Sequence, residues 1–242
     1  MFGFYRMAAV TPRTVVADVA SNLSEHLKLY REAERTGAAL AVFPELSLTG
    51  ASCGDLFRQE VLLRSVWSAA LELAAATGNA IAVFGLPVRC GNGLFNMAAV
   101  AADGRMLALI PKRSADGVFR SGSGLDAEVS GVPVVDGAVF DCGFRFAVEP
   151  GDDRMFPDGG VAALSGGAVV VANPVAEPFM PGFDAGAEAA ALSGRFGGVY
   201  VTAAAGTGES TTDAVFAGNS RIGDRGRCAV SAESFSRGSG IV

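Results

Sequence analysis

At 242 residues the chain can bury one large core, and no polar, low-complexity stretch separates two hydrophobic halves, so one domain over residues 1–242 is expected. A net charge of −6 with scattered Arg and Lys lacks the electrostatic footprint of a nucleic-acid binder. Half the residues are apolar, yet runs such as Ala80-Ile81-Ala82-Val83-Phe84 are broken by Gly and Pro before they could span a bilayer, which excludes a membrane partner and suits buried strands.

Met1-Phe2-Gly3-Phe4-Tyr5-Arg6 lacks the charged start, apolar core and cleavage site of a signal peptide, which points to the cytoplasm. Residues 5–10 read as a strand. A helix over 18–36 follows, with Leu23, Leu27, Tyr30 and Ala33 forming an apolar stripe and Gly37 ending it. His26 lies one position off that stripe among Glu25, Lys28 and Arg31, so a solvated helix face is its expected place. Strands are expected at 38–43 and 80–88 around a helix at 57–76, the pattern of a sheet with helical crossovers. Residues 95–102 and 106–111 form a hairpin across Asp103-Gly104, and residues 113–131, rich in Ser, Gly and Asp, read as a loop.

Short strands follow at 132–135, 138–141 and 144–148, then a Gly- and Asp-rich turn and a helical stretch near 160–164. A strand at 169–172, a helix near 185–196 and strands at 199–204 and 214–222 complete the pattern, with a turn at Asp224-Arg225-Gly226. Gly206-Thr207-Gly208 has no Walker lysine and reads as a turn. Cys53, Cys90, Cys142 and Cys228 stand apart without a Cys-x-x-Cys pair, and His26 is the only histidine. Reduced, mostly buried thiols are therefore expected, with no metal site.

Three segments carry more information. Val42-Phe43-Pro44-Glu45-Leu46-Ser47-Leu48-Thr49-Gly50 runs on through Ser52-Cys53-Gly54-Asp55-Leu56-Phe57. Ile110-Pro111-Lys112 is the second, and Gly206 to Asp213 with Val215-Phe216-Ala217-Gly218-Asn219-Ser220 is the third. Val83 to Arg89 and Leu94-Phe95-Asn96 fit between them. In this order they resemble the nitrilase, or carbon-nitrogen hydrolase, superfamily, with wording nearest the glutaminase domain of glutamine-dependent NAD synthetase. The resemblance implies an α/β fold built as a four-layer α-β-β-α sandwich, and pairing through helical faces into a homo-oligomer. It implies no cofactor. Nor is an ATP-pyrophosphatase domain expected within these residues.

Amide hydrolysis in this family uses a Cys thiolate, a Glu that moves the proton, and a Lys for the oxyanion. The Glu falls on Glu45 and the Lys on Lys112. The cysteine falls on Gly151, within Glu149-Pro150-Gly151-Asp152-Asp153, and no Ser, Thr or Cys stands between Gly143 and Leu164. Glycine has no nucleophilic atom, so thiolate attack is lost. Cys142 lies nine residues upstream, at the far end of the strand, and Cys53 matches a family cysteine that is not the nucleophile.

The segment after Lys112 retains little of the family's Tyr and Glu, and of the arginines on the downstream helix only Arg195 survives. Recognition of a glutamine carboxylate is weakened accordingly. The leading expectation is a catalytically inactive glutaminase-like binding or assembly module, with a related NAD synthetase as partner. A second is a hydrolase in which Glu45 and Lys112 activate water, with Asp152 and Asp153 as further carboxylates. A third is a small amide or carboxylate held in a pocket that Gly151 enlarges.

Overall fold

The computed structural model describes residues 4–156, 158 and 161–242. It opens with β1 (Arg6–Thr11), α1 (Val19–Arg35), β2 (Ala38–Val42), α2 (Glu60–Ala75), β3 (Ile81–Cys90), β4 (Gly93–Ala102) and β5 (Arg105–Pro111). Then come β6 (Ala127–Val129), β7 (Val132–Val134), β8 (Val139–Asp141), β9 (Arg145–Val148), α3 (Val161–Ser165) and β10 (Val170–Val175). The chain finishes with α4 (Ala185–Phe196), β11 (Val199–Ala204), β12 (Arg221–Asp224), β13 (Arg227–Ser231) and β14 (Gly240–Ile241).

Two sheets result, one in the order β14-β1-β2-β3-β4-β5-β7-β6 and the other β13-β12-β11-β10-β9-β8. Strand periodicity sorts their side chains into three interiors. Ala9, Leu40, Val42 and Val83 meet Phe146, Val148, Ala172 and Val201 between the sheets. The alternate residues Ala8, Val10, Ala41 and Phe43 pack under α1 and α2, while Ala147, Val171 and Tyr200 pack under α4. Helices, sheet, sheet and helices thus form four layers, and central strands buried on both faces read as unbroken apolar runs. The Asp103-Gly104 hairpin turns with positive φ at both residues, which only such a pair accepts cheaply.

Several expectations change. The buried face of α1 is Val19, Asn22, His26, Leu29, Tyr30 and Ala33, rotated from the apolar stripe, and Leu23 and Leu27 are only partly covered. His26 is fully buried, not solvated. Polar groups inside are tolerated when paired, and His26 and Asn22 both meet neighbouring loops, as described below. Within 113–131 the chain forms β6, which pairs with β7 across Ser130-Gly131, again with positive φ at both turn residues. Only Arg221–Asp224 of 214–222 is a strand, because Gly218 turns the chain at φ +67. Cys53 is buried, but Cys142 and Cys228 are exposed. Gly160, in the expected helical stretch, lies outside the described residues; α3 begins at Val161. No described helix is long and apolar enough to cross a membrane.

Candidate functional site

Glu45 follows β2, where the chain turns out of the first sheet. The turn lies so close to β3 that a Cβ on Gly85 would fall 2.2 Å from the Leu46 nitrogen and 2.6 Å from the Glu45 Cα. Glycine is therefore needed there. The loop is held from α1: His26 donates from Nδ1 to the Asn22 carbonyl at 2.7 Å, which leaves Nε2 to accept from the Ser47 hydroxyl at 2.8 Å. Asn22 itself bonds the Val15 backbone and the Leu48 carbonyl. His26 stacks on Phe43, and burial pushes its pKa down to about 4, so the ring is neutral.

Lys112 follows β5, and its backbone N–H donates to the Asn96 carbonyl at 2.8 Å. Its ammonium donates to Glu45 Oε1 at 3.0 Å and lies 3.1 Å from Asp152. Asn96 Nδ2 also donates to Glu45 Oε1, and the Ala176 N–H donates to Oε2 at 3.1 Å. Burial raises the Glu45 carboxyl above its usual range against the pull of Lys112 and these donors. Burial also opposes the Lys112 charge, but Glu45 and Asp152 outweigh it and its pKa rises. The result is a buried, paired ammonium.

Gly151 opens a 3-10 turn, Gly151–Met155, after β9. Its φ is +60, a left-handed conformation that side chains other than glycine resist. A Cβ there would fall 2.7 Å from Lys112 Cε and 2.9 Å from both Lys112 Nζ and Glu45 Oε2. The lysine side chain therefore occupies the space beside Gly151 into which a nucleophile would project. The Gly151 carbonyl accepts from Asn173 Nδ2 at 3.0 Å and from Arg154 Nη1 at 2.9 Å.

Of the expected site residues, Glu45, Lys112, Gly151 and Asp152 come together. Asp152 reaches Lys112 and the Ser114 hydroxyl, and it titrates below its usual range because those partners outweigh its partial burial. Asp153 points elsewhere: it accepts the Arg113 N–H at 3.0 and 2.9 Å, fastening the turn to the loop after Lys112. Burial pushes it up to about 7. Arg195 is exposed on α4 and donates to the Arg154 carbonyl at 2.5 Å; it makes no hydrogen bond to Glu45 or Lys112. Cys53 donates to the Thr49 and Gly50 carbonyls, and burial pushes its thiol up to about 11, an unreactive state.

Above Glu45 lies an open chamber of about 590 Å³, walled by Ser52, Asp55, Phe57, Asp116, Phe119 and Asp213 among others. No basic residue is among its described lining. No group of three or more His, Cys, Asp or Glu among the described residues could hold a metal.

The Carbon-nitrogen hydrolase family matches residues 6–242. This chain belongs to that family. It is 34% identical to the glutamine-dependent NAD(+) synthetase of Mycobacterium tuberculosis and 32% identical to that of Mycobacterium leprae. Each match covers 98% of this chain and 38% of the relative, so the chain spans well under half the length of these proteins. Among solved structures, a glutamine-dependent NAD(+) synthetase from Cytophaga hutchinsonii superposes with TM-score 0.87 at 20% identity, over 98% of this chain and 42% of that one. A nitrilase-superfamily amidase from Nesterenkonia sp. AN1 superposes with TM-score 0.81 at 20% identity, over 98% and 89%. The superposed structure is a glutamate-to-glutamine mutant of that amidase, showing covalent addition of the acetamide moiety of fluoroacetamide at its active-site cysteine. These likenesses establish the nitrilase fold.

Two buried charges near the Glu45–Lys112 cluster were missed in the sequence. Glu209 is fully buried, accepts the Ala51 N–H at 2.6 Å, and is pushed up to about 7, chiefly by burial and also by Glu45. It lies in the Gly206-Thr207-Gly208-Glu209 segment that carried the resemblance, where a charge directly after Gly-Thr-Gly was the available signal. Arg154 is the other, three residues past Gly151 and buried. A charged residue in so short a turn gave no hint of its direction.

Proposed function

We propose that this carbon-nitrogen hydrolase domain does not cleave amides by the thioester route and acts as a glutaminase-like binding or assembly module. The observation that carries this reading is Gly151: no nucleophilic side chain stands there, and Lys112, paired to Glu45, fills the place of one. In the Nesterenkonia amidase the covalent adduct forms on a cysteine, and nothing at Gly151 can form such a bond. Related NAD synthetases and further copies of this chain are the partners proposed for the module, by analogy with its relatives. A cytoplasmic location suits its unpaired thiols, two of them exposed.

The chamber over Glu45 narrows the ligand. Glu45, Asp55, Asp116 and Asp213 line it, with Lys112 behind Glu45 and Asp116 and Arg58 beside Asp55, so no cation faces the chamber itself. A neutral primary amide or an amine fits that field better than a carboxylate does. Purified protein incubated with glutamine and small amides is expected to release ammonia no faster than buffer. A rate abolished by Glu45→Ala would overturn the proposal.

A second reading, in which Glu45 activates water directly, draws on one observation: burial raises its carboxyl toward the range of a useful base. Against it, Glu45 already receives Lys112, Asn96 and the Ala176 N–H. The same ammonia assay separates the two readings.

A further inference from the structure

Behind the Gly151 turn lies a second chamber of about 440 Å³. The stretch 175–178 separates it from the chamber over Glu45, and extended backbone sends alternate residues to opposite sides. Ala176 lines the front, Val175 and Glu177 the back, and Pro178 touches both. Residues 214–219 divide likewise, with Ala214 and Phe216 in front and Ala217 and Asn219 behind.

Two arginines line the back chamber. Arg154 is 3% exposed and Arg221 1%, so neither charge has water to solvate it. Glu188 bridges them, with Oε1 3.1 Å from Arg154 Nη2 and Oε2 bonded to Arg221 Nη2. Glu177 meets Arg154 Nη2 at 2.5 Å, but its side chain is 37% exposed and sits at the rim. Arg154 Nη1 donates to the Gly151 carbonyl and Arg221 Nη1 to the Asn219 carbonyl. Both Nε atoms remain without an acceptor among the described residues.

A buried donor left unpaired costs about 1–3 kcal/mol, more beside a charge, and here two stand in one cluster. Behind the rim, two guanidinium groups share one carboxylate. Arg221 is accordingly pulled down to about 10, by burial first and by Arg154 second. With Glu177 counted, two positive charges meet two negative ones, but the cluster is short of acceptor atoms. Its other walls, Met155, Phe179, Met180 and Phe183, are apolar, and the Arg221 guanidinium lies 5.2 Å from the centre of the Phe183 ring.

From this arrangement we infer that the back chamber is a binding site for a small organic carboxylate with an apolar or aromatic body, held by Arg154 and Arg221. The carboxylate takes the place of Glu177 on Arg154 Nη2, Glu177 yields to solvent, and the aromatic and Met side chains cover the body. Because Arg154 also holds the Gly151 carbonyl, occupancy of the back chamber is felt at the front turn. The site goes beyond the reading of the front chamber and stands whether or not that chamber hydrolyses amides.

Methyl NMR on the full chain with labelled methionine tests it, with phenylacetate as the probe and phenylacetamide as its neutral counterpart. Phenylacetate is expected to shift the Met155 and Met180 methyls saturably with a Kd of about 1 mM or tighter, leaving Met97 and Met106 in place. Phenylacetamide should bind at least about tenfold more weakly. The charge-balanced variant Glu188→Gln with Arg221→Gln should weaken phenylacetate by about tenfold or more. Phe183→Ala, at the chamber mouth, provides a milder lesion expected to weaken it about threefold. No shift at about 20 mM phenylacetate, equal binding of acid and amide, or loss through Glu45→Gln in place of the arginine variant would each overturn the inference.

Discussion

The Glu45–Lys112 pair and the Arg154–Glu188–Arg221 cluster are both buried charge assemblies, one on each side of the Gly151 turn, and they differ in how completely they are satisfied. In front, one ammonium meets Glu45 and Asp152, and both Glu45 oxygens have donors. Behind, two guanidinium groups divide Glu188 and lean on a half-exposed Glu177, with both Nε atoms idle among the described residues. A self-satisfied charge pair supports structure and leaves little to offer a ligand. An under-satisfied one is open to an incoming partner. Charge alone therefore does not locate a site; the balance of donors against acceptors does.

Removing one cation from each side separates the two assemblies. Lys112→Met strands a buried Glu45 and is expected to cost about 3–5 kcal/mol at neutral pH. The loss should shrink in acid, where Glu45 protonates. Arg221→Met relieves repulsion on Arg154 and leaves Glu188 paired to it, so its cost should stay near about 1 kcal/mol. Urea unfolding measures both, and equal losses would erase the distinction between the two assemblies.

Glu209 sharpens the front side further. Its folded pKa of about 7 lies above the ordinary value of 4.5, so the folded state binds the extra proton between these limits. Stability then falls as pH rises from about 4.5 to about 7, by about 3 kcal/mol for a shift of that size. Asp153, also raised to about 7, slopes the same way, whereas His26, depressed to about 4, slopes oppositely by gaining stability as pH rises toward 6.5. The expected outcome is thus a difference: Glu209→Gln, which can still accept the Ala51 N–H, should flatten that fall relative to the parent. Identical pH curves for the two proteins would show that Glu209 does not titrate in this range.

The layers were legible because strands buried on both faces leave uninterrupted apolar runs, and β2, β3, β4 and β11 were read from them nearly to their ends. Glu45 and Lys112 were legible because the family's words surround them. The buried face of α1 was not, since Asn22 and His26 look like surface residues until the Ser47 hydroxyl and the Val15 and Leu48 backbones are seen to satisfy them. The strand expected over 214–222 begins only at Arg221, for a local reason, the positive φ of Gly218. The back chamber was invisible in sequence because Arg154 and Arg221 lie far apart along the chain and only the fold brings both to Glu188. Arg195 was singled out by the family's arginine pattern alone, which carries no information on the Arg154 carbonyl it donates to.

The smallest expected effect separates geometry from charge at Gly151. Gly151→Ala places a Cβ at φ +60, a backbone cost of about 1–2 kcal/mol, and forces Lys112 and Glu45 to move away from contacts of 2.7 and 2.9 Å. The lysine's end is flexible, so the steric part should be modest and the total should stay near about 2 kcal/mol. Combining Gly151→Ala with Lys112→Ala resolves the two parts, because truncation at Cβ removes the Cε and Nζ that the new methyl would meet and leaves the backbone strain. A double-mutant cycle in urea is expected to show that the pair costs less than the sum of its members, by about 0.5–1 kcal/mol. Strict additivity would mean that Lys112 does not press on Gly151, and the space beside the glycine would then be open to a nucleophile after all.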